Sequence, residues 1–146
     1  MFSMQEAIVG RKKEIDLKRD LKAVTNELAQ LNRELANQTI LLASQTGNTE
    51  PLIEAVEALR TARELYSVEN APRENAEVQQ ALADTLLTLA REKDDVKALM
   101  ASIDAYRGAI TLASMLGDEV MRQDLRKNYA RARNLLGNRG KIRGAA

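Results

Sequence analysis

The sequence predicts an all-α protein, a short α-solenoid of helical hairpins with a long N-terminal helix. The composition favours helix, because Ala, Leu, Glu and Arg are abundant while there are only two prolines and seven glycines. Apolar residues recur at helical spacing along most of the chain. The sequence also repeats itself after 47 residues, which is typical of stacked helical units.

The repeat is clearest between residues 35–67 and 82–114, where ten of 33 positions are identical without a gap. Within it, "LIEAVEALRTAREL" at 52–65 corresponds to "LMASIDAYRGAITL" at 99–112. A third copy begins with "LRKNYARARNLLG" and stops after one helix. We therefore expect two helical hairpins followed by a single helix that caps the stack.

Turn residues divide the repeats into five helices. Pro72 suits a first helical turn, Asp95 suits an N-cap, and Gly117 and Gly137 suit C-terminal stops. The expected helices cover about 25–45, 50–67, 72–91, 96–115 and 119–137. The expected domains are an N-terminal helical extension at 1–24, a repeat domain at 25–137 with repeats at about 25–71 and 72–118 and a capping helix at 119–137, and a flexible basic tail at 138–146.

A leucine seam runs along the first helix, with spacings that alternate between four and three residues. Its members are Leu17, Leu21, Val24, Leu28, Leu31 and Leu35. This is the a/d pattern of a coiled coil, and it continues into the first repeat, so one helix is expected over 12–45. We expect self-association or a partner helix at this seam. The alternative is that the seam packs back on the first repeat as an N-terminal cap.

The absence of cysteine and histidine excludes several classes of function. No disulfide, thiolate metal site, Ser-His pair or Cys-His pair can form. Asp94 and Asp95 favour a turn and an N-cap over a metal pair, because no further ligands lie nearby. We expect no catalysis, no cofactor and no metal. No stretch approaches 18 apolar residues, so a cytoplasmic protein without a membrane segment is expected.

The repeats resemble tetratricopeptide (TPR) repeats over about residues 25–137. "ELANQTILLA" and "ALADTLLTLA" are similar to the first helix of such a repeat, and "AVEALRTAREL" and "SIDAYRGAITL" are similar to the second. The chain departs from the family in its period of 47 rather than 34, in a missing aromatic residue, and in Ala36, Ala83 and Ala130 where the family has glycine. HEAT-like and armadillo-like stacks have a similar period and remain alternatives.

The resemblance implies a concave groove lined by the first helix of each pair. The residues it assigns to this groove are Arg33, Asn37, Leu41, Gln80, Asp84, Thr88, Lys127, Arg131 and Leu135. It implies a protein–protein interaction module whose unidentified protein partner is an extended or helical peptide that bears acidic residues. The alternative is that these positions are the solvated stripe of amphipathic helices.

Charge is unevenly distributed along the chain. Residues 1–47 carry a net charge of +1, residues 48–118 carry −6, and residues 119–146 carry +6. The basic end could bind nucleic acid, meet an acidic surface of a neighbouring molecule, or form a solvated tail, and the last is favoured. The sequence thus predicts an adaptor or assembly subunit, with a structural homo-oligomer as the alternative and a nucleic-acid-associated protein as the outsider.

Overall fold

The computed structural model describes residues 3–145 of the chain, and the side chains of residues 3–139. This part of the chain consists of five α-helices and contains no strand, which confirms the all-α prediction. The helices are α1 (Met4–Thr46), α2 (Glu50–Leu65), α3 (Pro72–Lys93), α4 (Val96–Leu116) and α5 (Glu119–Ala145).

Local turn chemistry sets most of the helix ends. Gly47 and Gly117 end α1 and α4 in the left-handed conformation, with φ of 69° and 70°, which glycine adopts without steric cost. Pro72 occupies the first turn of α3. The Asp95 carboxylate accepts hydrogen bonds from the backbone N–H groups of Lys97 and Ala98 at 3.0 and 3.2 Å. The predicted roles of Pro72, Asp95 and Gly117 are therefore confirmed.

The helices pack in chain order, each against the next. Small residues bring the helix axes close together: α1 buries Ala29, Ala36 and Ala43, its main contacts being with α2. The largest fully buried side chains are Tyr106, Leu59, Leu82, Leu99 and Leu125. The core thus runs through the four helix–helix interfaces, and the part of α1 before Ala29 contributes no buried side chain.

The first helix begins earlier than the sequence analysis expects, at Met4 rather than near residue 12. The Ser3 hydroxyl accepts a hydrogen bond from the Glu6 N–H at 3.2 Å, and the Ser3 N–H donates to the Glu6 carboxylate at 3.0 Å. This reciprocal pair is a capping box. The pattern Ser-x-x-Glu was present in the sequence and marks the start of this helix.

The last helix ends later than expected, at Ala145 rather than at residue 137, so it includes most of the segment predicted as a flexible tail at 138–146. Gly137 does not adopt the left-handed conformation that stops a helix. Instead, the Arg139 guanidinium donates to the Ala90 carbonyl at 2.9 Å and lies 2.7 Å from the Asp94 carboxylate. These contacts join α5 at Arg139 to the C-terminal end of α3.

None of the helices in the described part of the chain combines the length and the apolar character needed to cross a bilayer.

Candidate interaction surfaces

A line of exposed apolar side chains runs along α1, and we call it the α1 stripe. It consists of Leu17, Leu21, Val24, Leu28, Leu31, Leu35 and Leu42. Their exposed fractions lie between 47% and 65%. The seam that the sequence predicts therefore faces solvent rather than the first repeat, in the part of the chain that the structure describes. Val24 and the leucines before it lie on the stretch of α1 that projects beyond the helical body.

Four of the nine predicted groove residues line two depressions on the α1–α3 side. Arg33 and Asn37 line a first depression of about 660 Å³. Asp84 and Thr88 line a second depression of about 550 Å³. The Arg33 guanidinium spans the two helices, 2.5 Å from the Glu77 carboxylate of α3.

The other predicted groove residues line neither depression. Leu41 is exposed and Gln80 is half-buried. On α5, Lys127 and Arg131 are exposed, and Leu135 is half-buried against the core. The nine predicted residues therefore do not line one common groove in the structure.

Carboxylates supply most of the charged groups that line the two depressions. Glu27, Glu34 and Glu74 surround Arg33 in the first depression. In the second, Asp84 and Glu92 are the only charged residues of the lining. Its apolar walls come from Ile40, Ala43, Leu52 and Ala81. The predicted groove did not include the glutamates of the first depression, although Glu27 and Glu34 recur at a seven-residue spacing on the flank of the leucine seam.

Asp84 accepts a hydrogen bond from the hydroxyl group of Tyr106, which is buried beneath it on α4. Burial raises the pKa of Asp84, and the hydrogen bond from Tyr106 partly opposes that rise. Burial also raises the pKa of Tyr106, and the neighbouring Asp84 carboxylate adds to the increase. The pair links α3 to α4 directly under the second depression.

The basic end of the molecule is organised around Tyr129. The Arg107 and Arg133 guanidinium groups each lie 5.8 Å from the centroid of its ring. Both donate to its hydroxyl oxygen, at 3.1 and 3.3 Å. These hydrogen bonds lower the pKa of Tyr129, and the one from Arg107 has the largest effect. The Tyr129 side chain therefore already contacts two arginine side chains of the same molecule.

Asp94 and Asp95, considered above as a metal pair, have structural partners. Asp94 ends α3 in the left-handed conformation and pairs with Arg139, while Asp95 caps α4. No group of three or more Asp or Glu residues among the described positions is arranged to hold a metal ion.

Comparisons of the chain with protein-family models, with curated proteins and with solved structures find no match. The surfaces described above and the internal repeat are therefore the features of the molecule that bear on its function. Of the surfaces, the α1 stripe has the largest number of exposed apolar side chains in one continuous line.

Proposed function

We propose that the protein is a non-catalytic protein–protein interaction module, an adaptor or assembly subunit, built on a solenoid of TPR-like hairpins. The observation that carries this proposal is the exposure of the α1 stripe. Burying a leucine side chain stabilises by roughly 1.5–3 kcal/mol, so seven apolar side chains on one line favour the docking of a helix. Large exposed apolar surfaces mark interaction sites in soluble proteins.

The alternative proposal is a structural homo-oligomer, in which the stripe meets a second copy of the chain. Both proposals require that the stripe contacts a protein, and they differ in which protein it is. The heptad spacing of the stripe suits a helical partner in either case. One experiment can therefore test the shared requirement and separate the two.

The experiment places the photo-reactive amino acid benzoylphenylalanine at Leu35, in cells that produce the protein. The matched control carries it at Val120, an exposed apolar position on α5. The proposal expects a discrete cross-linked product from position 35 and none from position 120. A product of twice the chain mass indicates the homo-oligomer, and another mass indicates an adaptor. Identical products from both positions, or none from position 35, would refute the proposal.

The charges of the two depressions bear on the chemistry of a partner. Glu27, Glu34, Glu74, Asp84 and Glu92 line them, and the one basic lining residue, Arg33, is paired with a carboxylate. Like charges across an interface are costly. This side of the molecule therefore favours a basic partner over the acidic peptide that the sequence analysis expects.

The nucleic-acid function is the least supported candidate. Arg122 and Arg139 are paired with Glu119 and Asp94, which leaves fewer cations of α5 for phosphate groups. The Tyr129 ring lies between two guanidinium groups and is not a bare stacking surface. Titration of a labelled single-stranded RNA at low salt tests this candidate, since phosphate contacts would give strong binding that salt weakens.

A further inference from the structure

We infer that an amphipathic helix of another protein packs on the α1 stripe. This helix takes the place on α1 that the preceding helix takes on α3 and on α5, and we call that place on α1 the vacant position. This helix runs antiparallel to α1 and carries basic residues along one edge. The inference rests on the proposed function, because it names the partner of the same surface. It follows from the internal repeat, from helix polarity and from charge.

The repeat buries the positions that correspond to Leu31, Leu35 and Leu42 of the stripe. In α3, 47 residues after the stripe, these positions are at most 8% exposed: Val78, Leu82 and Leu89. In α5, a further 47 residues on, Leu125 is fully buried, and Tyr129 and Leu136 are half-buried. The same face of the same helix is thus covered in the two later units and exposed in the first.

Hydrogen bonds identify what covers this face. In α3, Asn75 is the equivalent of Leu28, and its side-chain amide donates to the carbonyl groups of Arg63 and Tyr66 at 3.0 and 2.6 Å, at the end of α2. In α5, Tyr129 accepts its hydrogen bond from Arg107 of α4. The face therefore contacts the preceding helix in both later units. For α1, no described residue takes that place.

The direction of the bound helix relative to α1 follows from the way in which α3 and α5 are covered. Asn75 lies near the start of α3, yet it contacts the end of α2. Consecutive helices joined by short turns are antiparallel, and α4 and α5 are joined through Gly117 and Asp118 alone. A helix that fills the vacant position in the same way therefore runs antiparallel to α1.

Acidic side chains beside the stripe indicate the charge of the bound helix. Asp20, Glu27 and Glu34 recur every seven residues along one side of the stripe, and we call them the acidic edge. None of the three forms an ion pair within residues 3–139. Positions that flank an apolar seam set the choice and orientation of the partner helix. Lysine or arginine residues on the facing edge of the occupant complement this edge.

The same edge argues against a second copy as the occupant. Two α1 helices paired antiparallel through their stripes place acidic edge beside acidic edge, and like charges in such contacts are destabilising. A parallel pair avoids this repulsion, but its polarity is opposite to that of the helices that cover α3 and α5. A foreign helix satisfies both conditions.

The test uses two synthetic peptides based on α4, the helix that covers the equivalent face of α5. Their sequence is that of Val96–Leu116, with exposed positions replaced by lysine in one peptide and by glutamate in the other. The replaced positions are Met100, Asp104, Thr111 and Ser114. Fluorescence anisotropy measures the binding of each labelled peptide to the full chain. We expect the lysine peptide to bind at least tenfold more tightly than the glutamate peptide.

Three variants of the full chain complete the test. Glu27→Lys with Glu34→Lys should reverse the preference between the peptides. Glu54→Lys with Glu64→Lys, which changes the charge equally at exposed positions of α2, should leave it unchanged. Leu31→Asp with Leu35→Asp should abolish binding of both peptides. Circular dichroism of each variant establishes that the helical fold is retained.

A single cysteine tests polarity, since the chain has none of its own. A thiol at the N-terminus of the lysine peptide should form a disulfide with Gln45→Cys, near the end of α1, and not with Lys18→Cys. The reverse pattern would contradict the antiparallel arrangement. Equal affinity of the two peptides would contradict the inference that the bound helix carries basic residues along one edge. If neither peptide binds, the inference that a helix packs on the α1 stripe is wrong. A photo-product from position 35 that contains two copies of the chain would overturn the foreign occupant while upholding an interaction role for the stripe.

Discussion

The Arg139 guanidinium lies 2.7 Å from the Asp94 carboxylate and donates to the Ala90 carbonyl at 2.9 Å. Arg139 follows Asp94 by 45 residues, so this contact joins the last turns of α5 to the C-terminal end of α3. The Asp94 side chain is well exposed while that of Arg139 is largely buried. The hydrogen bond to the helix-end carbonyl therefore contributes more than the ion pair, because exposed ion pairs are weak.

Arg139→Ala is expected to fray the last turns of α5. It removes the hydrogen bond to Ala90, and we expect a loss of about 1 kcal/mol in the free energy of unfolding. Hydrogen exchange should accelerate at the backbone amides after Gly137 while protection in α3 and α4 is kept. Arg131→Ala, at an exposed position of the same helix, is the control and should change neither. Unchanged exchange in Arg139→Ala would mean that the contact does not hold the helix end.

Asn75→Leu is expected to destabilise the fold strongly, although it restores the residue type that the repeat has at Leu28. The buried Asn75 amide donates to the carbonyl groups of Arg63 and Tyr66, and its side-chain oxygen accepts from Gln79 at 2.7 Å. Removing the amide leaves these buried groups unsatisfied at a cost of about 1–3 kcal/mol each. Urea denaturation should show a loss of at least about 2 kcal/mol. Asn134→Leu, at an exposed position of α5, should show little change.

The helix ends that depend on local chemistry could be read from the sequence, whereas the contacts across the repeat could not. Gly47, Pro72, Asp95 and Gly117 act through their own backbone conformation or capping groups, so the turns follow from them directly. The end of α5 depends on Arg139 and Asp94, which are far apart in the chain. No local pattern reports such a pair.

The candidate site could likewise be predicted from the sequence only in part. The heptad spacing of the α1 stripe was visible in the sequence, but the same apolar pattern is buried at Leu82 and exposed at Leu35. Only the packing of the preceding helix separates these two cases. Likewise, Arg33 was assigned to an open groove, and its pairing with Glu77 depends on how α1 and α3 are placed.

Asp84→Asn is expected to become more stable relative to the parent chain as the pH rises. Burial raises the pKa of Asp84 in the folded state above its ordinary value of 3.8, so the folded protein binds this proton more tightly than the unfolded chain. That contribution to stability is present below pH 3.8 and is lost as the pH rises through the folded-state pKa. The uncharged amide of the variant carries no such penalty, and its oxygen can still accept from Tyr106.

Urea midpoints of the parent and the Asp84→Asn variant at about pH 3 and about pH 7 measure this difference. The variant should gain on the parent between the two pH values. Asp104→Asn, at an exposed position of α4, is the control for the removal of one carboxylate from the surface. A difference between parent and Asp84→Asn that is the same at both pH values would mean that the Asp84 carboxyl titrates alike in the folded and unfolded states.

Removal of residues 1–25, so that the chain begins at Asn26, is expected to leave the helical body folded. Before Ala29, α1 contributes no buried side chain, and within the described residues its one side-chain hydrogen bond to another element is that from the Lys22 amine to the Asn70 side chain at 3.2 Å. The truncation removes little buried apolar surface, so it costs little stability. The thermal midpoint of the isolated protein should therefore change by only a few degrees.

The truncation also removes Leu17, Leu21 and Val24 from the stripe, so binding of the lysine peptide should weaken even though the fold is kept. A large fall in the midpoint, measured by circular dichroism at two protein concentrations, would instead show that the extension stabilises the protein. A concentration-dependent fall would place that stabilisation in contacts between copies of the chain, because only association makes a midpoint depend on concentration.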